Sequence, residues 1–535
     1  MDKLLLLGDE AVGRAAVDAG IGGAFGYPGT PSTEIFEYLQ EHAALTHAFR
    51  ADWAANEKVA VEEALGMSYA GKRAIVTMKS VGINVAADPF VCSAITGVNG
   101  GLVVVVADDP GMHSSQNEQD ARYYADLARI PCFEPSDQQE CYDMARAAFR
   151  ISEENGMPVL LRLVTRIAHS RAPVSVSAPD APRKDVNLPP ADSLDWILLP
   201  AVARRRYPEL LKRRAAFMNG RDPAVWNRIV KMPGAPAAKG IIACGTGANY
   251  MLDAFELLGV KADYLKINCY PVSPALIEEF IRGREEVLLL EDGYPYIEER
   301  LLGLVGRGPK IRGRLDGYTE ATGELNPDRA ALLLSKFLGG KAPSAAYAKP
   351  RIPERPPALC QGCPHTDTYK ALKEALSTRQ PGRVFGDIGC YTLGALPPHN
   401  GINACVEMGG SVGMAKGASD AGLKYSVGII GDSTFGHSGI TPLLGATAHN
   451  TPMTLIILDN STTAMTGAQD SLATGDRLLN IVKGAGVASE HLRIITPLPA
   501  KHAENVKIIG EEMDYRGVSV IIARRECIQI LGRKK

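Results

Sequence analysis

The stretch Ser426-Val427-Gly428-Ile429-Ile430-Gly431-Asp432-Ser433-Thr434 decides the fold of this chain, together with its counterpart Met453-Thr454-Leu455-Ile456-Ile457-Leu458-Asp459-Asn460-Ser461-Thr462. Each is a short apolar run of the kind that forms a fully buried strand, and each breaks at once into polar residues. In doubly wound α/β sheets, ligands sit where strands end and helices begin. Asp432 and Asn460, 28 residues apart, therefore stand as oxygen side chains at the tips of adjacent strands. Such a pair can share a hard divalent ion, and Mg²⁺ commonly bridges protein oxygens to phosphates. Gly431 lets backbone approach a phosphate closely, while Ser433 and Thr434 supply donors at a helix start. Two ordinary β-turns are the plain alternative.

The same alternation of strand and helix extends outward from this pair. From residue 1 to about 170, apolar runs at 74–78, 102–107 and 158–164 alternate with helical patterns at 57–70 and 137–153. A Pro-rich stretch, 172–190, is followed by a basic helical segment that carries nine Lys/Arg between Leu199 and Lys231 against only Glu209 and Asp222. A solvated face explains such a segment, with an interface or a phosphate-bearing ligand as the sharper alternative. Strands are expected near 240–243, 263–267 and 286–291, then a second Pro-rich linker, then strands at 426–430, 452–458 and 518–523. The expected fold class is α/β, with three doubly wound domains at 1–172, 239–342 and 358–535. Linkers are expected at 173–238, which includes the basic segment, and at 343–357.

Composition excludes several function classes. The chain has 535 residues, enough for three or four domains, with 46% apolar and 22% charged residues, as in ordinary globular proteins. Its 58 Lys/Arg nearly balance 60 Asp/Glu, so there is no electrostatic reason to expect nucleic acid or an anionic membrane as partner. The longest aliphatic run, 102–107, falls far short of the roughly 20 residues that span a bilayer. Asp2, Lys3, Asp9 and Glu10 surround the first leucines, which is not the pattern of a signal peptide. A cytoplasmic location is expected, and ten cysteines there imply thiols, metal ligands or redox chemistry.

The paired motif at 431–462 resembles the thiamine-diphosphate motif, which begins Gly-Asp-Gly and closes with Asn. Ser433 stands where that pattern has Gly. The resemblance implies that Asp432 and Asn460 offer side chains to Mg²⁺ and Thr462 its carbonyl. Thiamine enzymes hold the pyrimidine on another domain, with a carboxylate that hydrogen-bonds it and so activates the coenzyme. Asn56-Glu57 opens a helix reading Glu57-Lys-Val-Ala-Val-Glu-Glu-Ala-Leu-Gly66, in which Glu57 comes first while Glu62 and Glu63 face solvent. Gly26-Tyr27-Pro28-Gly29-Thr30-Pro31-Ser32, Glu57 nine residues before Gly66, and Gly431-Asp432 resemble the 2-oxoacid:ferredoxin oxidoreductases. Within that family, 76–88, 108–120 and 459–467 look most like the large subunit of indolepyruvate ferredoxin oxidoreductase. The match runs in order along nearly the whole chain.

Carried over residue by residue, the resemblance makes Glu57 the pyrimidine-activating carboxylate and Thr30 a substrate-side hydroxyl. Lys79 becomes the grip on the 2-oxo acid carboxylate, a task that suits a point charge; a surface lysine after a strand is the alternative. His113 either lines the pocket as acid or base or is an ordinary loop histidine. Ile388, Gly389, Cys390 and Tyr391, with Gly431, Ser433, Thr434, Ala464 and Met465, are the further implied coenzyme contacts. Ser80 stands where the family has His beside the lysine, which leaves the preferred acyl group open.

Cys360-Gln-Gly-Cys363-Pro-His365 contains one CxxC, which alone fits a zinc half-site, a redox pair or coincidence. The resemblance implies four ligands to a [4Fe–4S] cluster: Cys360, Cys363, Cys390 and Cys527. Structural thiols and zinc remain the alternatives. Cys92, Cys132, Cys141, Cys244, Cys269 and Cys405 read as small buried hydrophobes. Lys535 comes eight residues after Cys527 without the ferredoxin-like domain the family's large subunit carries. The expected partners are therefore a smaller gamma-type oxidoreductase subunit and an iron–sulfur carrier subunit or ferredoxin. The implied reaction is oxidative decarboxylation of an aryl 2-oxo acid, indolepyruvate- or phenylpyruvate-like, to an acyl-CoA, with coenzyme A as co-substrate. A non-oxidative thiamine-dependent decarboxylase or carboligase is the alternative.

Overall fold

A computed structural model describes residues 2–180, 196–301, 308–320, 323–339, 358–405 and 407–531. The chain divides into two units, Met1–Ala348 and Lys349–Lys535. The first unit holds a seven-stranded sheet in the order Cys269–Tyr270, Cys132–Phe133, Val159–Val164, Leu102–Asp108, Ala74–Lys79, Gly23–Gly26, Arg50–Trp53. Neighbours run parallel except at the Cys269–Tyr270 edge, which is antiparallel to Cys132–Phe133. Leu102–Asp108 and Val159–Val164 are buried at every position, as apolar runs covered by helices on both faces must be. The helix Gln138–Asn155 starts at Asp137, whose carboxylate accepts from the Glu140 amide and caps the helix.

The interval 173–238, expected as a linker, carries ordered elements. Arg171–Val176 pairs antiparallel with Asp2–Leu7, from Leu7↔Arg171 to Asp2↔Val176. Pro173 is tolerated in this isolated two-stranded ribbon, where half of the amides face no partner. Of the rest of this interval, 181–195 lies outside the described residues, as does the expected linker 343–357. The basic segment forms the helix Pro200–Met218, and its face is not simply solvated. Arg206 donates to the carbonyls of Ile95 and Thr96, and Arg213 donates to that of Gly156. These carbonyls end the helices Gly82–Thr96 and Gln138–Asn155, where cations are favoured.

A five-stranded sheet, in the order Lys310–Arg312, Glu286–Leu290, Lys239–Cys244, Asp263–Ile267, Arg228–Val230, completes the first unit. A buried ionic network links it to the seven-stranded sheet. Arg162 Nε lies 2.6 Å from Asp108 Oδ2, and Arg122 Nη1 lies 3.0 Å from Glu291 Oε2. The second unit is a six-stranded parallel sheet in the order Ala404–Cys405, Gly382–Gly386, Tyr425–Gly431, Met453–Asp459, Val518–Arg524, Leu492–Ile495. The architecture is α/β with three principal sheets, the first two belonging to one unit. Among the described residues, no helix is long and apolar enough to cross a membrane.

Candidate active site

The strands Tyr425–Gly431 and Met453–Asp459 are neighbours, with Gly431 opposite Leu458. Asp432 and Asn460 therefore emerge side by side at one sheet edge, and both are buried. Oδ2 of Asp432 is buried without a well-formed hydrogen bond, and the hydroxyl of Ser471 beside it, which partly offsets that burial, has none either. Burial first, then the nearby charge of Asp459, pushes the Asp432 carboxyl up to about 7. An unpaired carboxylate oxygen in a dry site is costly unless a cation meets it, so this donor set fits Mg²⁺. Asp459 is already committed: its oxygens accept from Arg524 Nε at 2.9 Å and from the Gly475 amide at 3.1 Å. Asn460 Oδ1 accepts from the Thr462 amide at 3.2 Å, which folds the turn that carries Thr462.

The helix that starts at Asp432 passes through a π-helical turn, Phe435–Gly439, before continuing as Ile440–Ala448. Such turns are frequent at functional sites. Ser433 Oγ and Thr463 Oγ1 share a hydrogen bond of 2.8 Å, and Thr434 Oγ1 donates to the Ile388 carbonyl. Gly431 and Gly389 have a role that their position in the sequence does not reveal. A Cβ on either would lie within 2.7 Å of the Tyr391 ring, so both glycines make room for an aromatic side chain. Tyr391 itself is buried with its hydroxyl unpartnered. Ala464 opens the short turn Ala464–Thr466, in which Met465 is exposed.

Cys360, Cys363, Cys390 and Cys527 converge in this same unit. Burial, then Cys363, Cys527, Asp432 and Cys360, pushes the Cys390 thiol up to about 12. Cys363 is raised by burial, with Cys360 and Cys527 adding to it. All four are free thiols. Cys363 and Cys527 are buried, Cys390 is partly so and Cys360 is exposed, and two of these thiols, Cys363 and Cys390, are raised by burial and by the other cysteines, a set that fits a thiolate-binding metal centre. Of the other six, Cys132, Cys141, Cys244 and Cys269 are buried as expected, whereas Cys92 and Cys405 are only partly so.

His365, part of the CxxCPH run but not among the expected site residues, joins the thiols to the metal-binding edge. Its Nε2 lies 3.4 Å from Cys390 Sγ and 3.3 Å from Asn460 Nδ2. Burial alone lowers its pKa to about 4, so the ring is neutral, with Nε2 able to accept from the Asn460 amide.

In the first unit, Glu57 is the buried first residue of the helix Glu57–Tyr69, which is capped by the Asn56 side chain. Its carboxylate lies against the backbone of Gly82, where a Cβ would come within 2.6 Å of Oε1. Glu62 and Glu63 are exposed. Lys79 ends its strand half-buried, not on the open surface, and its Nζ donates to the Ser114 carbonyl at 2.9 Å. Burial lowers its pKa, and Asp109 opposes the shift. The Ser114 hydroxyl donates to the Thr30 carbonyl at 3.3 Å, so Thr30, Ser114 and Lys79 form one connected group. Ser80, next in sequence, is buried with an unpartnered hydroxyl. His113 is not drawn into this group. It is half-exposed, and its Nε2 sits 3.5 Å from Glu324.

A family model described as "Pyruvate flavodoxin/ferredoxin oxidoreductase, thiamine diP-bdg" matches residues 14–199. A second, described as "Thiamine pyrophosphate enzyme, C-terminal TPP binding domain", matches residues 387–514. The indolepyruvate oxidoreductase subunit IorA of Archaeoglobus fulgidus is 37% identical over 100% of this chain and 88% of that protein. The IorA subunit of Methanothermobacter thermautotrophicus is 38% identical over 99% of this chain and 88% of its own length. Among solved structures, the 2-oxoglutarate:ferredoxin oxidoreductase from Magnetococcus marinus shares the fold with a TM-score of 0.51 and 15% identity. It covers 63% of this chain and 65% of that one.

Proposed function

Because the chain belongs to the family of indolepyruvate oxidoreductase IorA subunits, we propose that it is the thiamine-diphosphate-bearing subunit of an enzyme that oxidatively decarboxylates an aryl 2-oxo acid. The reaction consumes the 2-oxo acid, coenzyme A and two one-electron acceptors, and yields acyl-CoA, CO₂, two reduced acceptors and a proton. One observation carries the reading. Asp432 Oδ2, buried without a well-formed hydrogen bond, and the cysteines that act electrostatically on Cys390 occupy one unit, with His365 near both Cys390 and Asn460. Bound thiamine diphosphate supplies the electron sink for decarboxylation, and a [4Fe–4S] cluster removes electrons one at a time.

The chain's own residues have separable tasks. Asp432, Asn460 and Thr462 hold Mg²⁺ and with it the diphosphate, while Gly431, Ser433, Thr434, Ile388, Gly389 and Tyr391 shape the surrounding wall. Ala464 and Met465 belong to the adjoining turn. Glu57, the buried first residue of its helix, would hydrogen-bond the coenzyme's pyrimidine. Lys79 orients the substrate carboxylate, with Thr30 and Ser114 fixing its position. Cys360, Cys363, Cys390 and Cys527 hold the cluster. A smaller gamma-type subunit and an iron–sulfur carrier or ferredoxin complete the enzyme, in the cytoplasm.

The test is anaerobic purification with the partner subunit, followed by iron, sulfide and EPR measurement. Substrate-dependent viologen reduction is then assayed across indolepyruvate, phenylpyruvate, phenylglyoxylate and branched 2-oxo acids. A cluster signal, aryl preference and loss of viologen reduction in Glu57→Gln are expected. Absence of iron together with aldehyde release would establish a non-oxidative decarboxylase instead, and an unchanged rate in Glu57→Gln would remove that residue from the mechanism.

A further inference from the structure

Asp9, Glu34 and His169, none of them assigned a task above, come together. Asp9 is the second residue of the helix Gly8–Asp18, and Glu34 the second of Thr33–Thr46. His169 follows the short helix Thr165–Ala168. Three elements distant in sequence thus place two carboxylates and an imidazole with donor atoms all within 4.8 Å of one another.

The environment of Asp9 singles out this cluster. Its side chain is fully buried, at 0% exposure, and neither oxygen has a hydrogen-bond partner. Glu34 Oε2 is also buried, with His169 Nε2 3.5 Å away; the pairing lowers the pKa of the Glu34 carboxyl and raises that of the His169 imidazole. Both oxygens of Asp9 therefore lack a protein donor, and Glu34 Oε2 beside them has only the imidazole of His169 close by. The buried ionic network around Arg122 and Arg162 shows how differently this chain treats buried carboxylates when it means to pair them internally. Burial, with Glu34 and Glu10 adding to it, holds the Asp9 carboxyl well above its usual range, as a carboxylate lacking a counter-ion must be.

We propose that Asp9, Glu34 and His169 form a divalent metal site of zinc type. Two carboxylates and a neutral imidazole carry a charge of −2, which one divalent ion cancels. Three donors at most 4.8 Å apart lie within about 2.8 Å of a common centre, so movements under about 1 Å reach the 2.0–2.2 Å of Zn–N and Zn–O bonds. The nitrogen donor favours a first-row transition ion over Mg²⁺ or Ca²⁺. Glu34 and His169 are each roughly one-third exposed, which leaves an entry path and room for water to complete the coordination. The ion would staple the first two helices to the segment after Val159–Val164. Because Thr33–Thr46 follows directly on Gly29-Thr30-Pro31-Ser32, the site would steady the loop that presents Thr30.

The test compares the full-length wild-type chain with Asp9→Asn and with His169→Ala, all stripped of metal and titrated with Zn²⁺ in excess Mg²⁺. Zinc held by the four thiols is common to all three and cancels. Bound zinc after gel filtration should be one ion per chain lower in each variant. The Zn²⁺-dependent rise in Tm should be several degrees larger in the wild type than in either variant, since a ligand that binds the folded state raises it. Equal stoichiometry in all three, or an equal rise in Tm, would overturn the site and make the cluster a carboxyl pair sharing a proton. His169→Ala alters a partly exposed side chain, so it decides the matter even where Asp9→Asn fails to fold.

Discussion

Two buried polar clusters in this molecule are built on opposite rules. Around Arg122 and Arg162, Asp120, Glu134 and Glu291 each have both carboxylate oxygens engaged, by guanidinium, by the Tyr270 hydroxyl or by backbone amides. Around Asp432, by contrast, a carboxylate oxygen, the Ser471 hydroxyl and the Tyr391 hydroxyl are left without a well-formed hydrogen bond. The first cluster closes on itself apart from Oδ1 of Asp108, and it joins two sheets. The second withholds its valences for something the chain does not supply. Satisfied networks read as architecture and orphaned ones as binding capacity, and perturbing each should separate stability from affinity.

The largest effect is expected at Arg162. Replacing it with Met leaves Asp108 buried without a counter-charge and removes one of the two guanidinium partners of Glu134, and should cost about 3–5 kcal/mol in denaturant unfolding of the first unit. A cost below about 1 kcal/mol would dissolve the contrast from one side. Asp432→Asn attacks the other side. It should weaken Mg²⁺-dependent thiamine diphosphate binding by about 100-fold or more, near 2.7 kcal/mol, and leave the metal-free fold as stable as before or more so. Calorimetric titration and thermal melts without ligand read these separately. Destabilisation of the metal-free chain would mean that Asp432 is architecture after all.

Asp387 sharpens the comparison. It accepts from the amide and hydroxyl of Ser411, yet burial dominates and raises its carboxyl to about 7. A carboxyl that binds its proton more tightly folded than unfolded contributes fully below about pH 4, and that contribution is lost as pH rises through about 7. From pH 5 to pH 8 the wild type should therefore lose about 2 kcal/mol relative to Asp387→Asn, visible as converging denaturant midpoints. The smallest effect belongs to His113. Half-exposed beside Glu324, it should change stability by less than about 0.5 kcal/mol on replacement with Ala, and viologen reduction by less than about twofold. A hundredfold loss would return it to the substrate pocket.

The long apolar runs were legible because strands buried on both faces leave almost no polar position: 102–107, 426–430 and 518–523 all fall within observed strands. Gly23–Gly26 and Cys132–Phe133 were not, since four residues of Gly-Ala-Phe-Gly or two residues alone carry no period. Their identity as strands comes from the neighbours they pair with. The candidate site divides in the same way. Asp432, Asn460 and the CxxC stood out through spacing and position at strand ends. His365 did not, because its partner Asn460 lies 95 residues away and nothing local announces the contact. Gly82 was invisible as a seat for Glu57 for the same reason, as were Gly389 and Gly431 as the walls around Tyr391.

The antiparallel edge Cys269–Tyr270 has a practical side. It carries two residues of the second compositional block into the sheet of the first, where Tyr270 also meets Glu134 and Arg122. A chain cut after residue 238 would leave Cys132–Phe133 as a bare sheet margin and strip Arg122 of Glu291. Such a fragment would present an adhesive edge to its own copies. Protease digestion should accordingly release two durable pieces from this molecule, not three, and anyone dividing it for expression should cut near the boundary at Ala348.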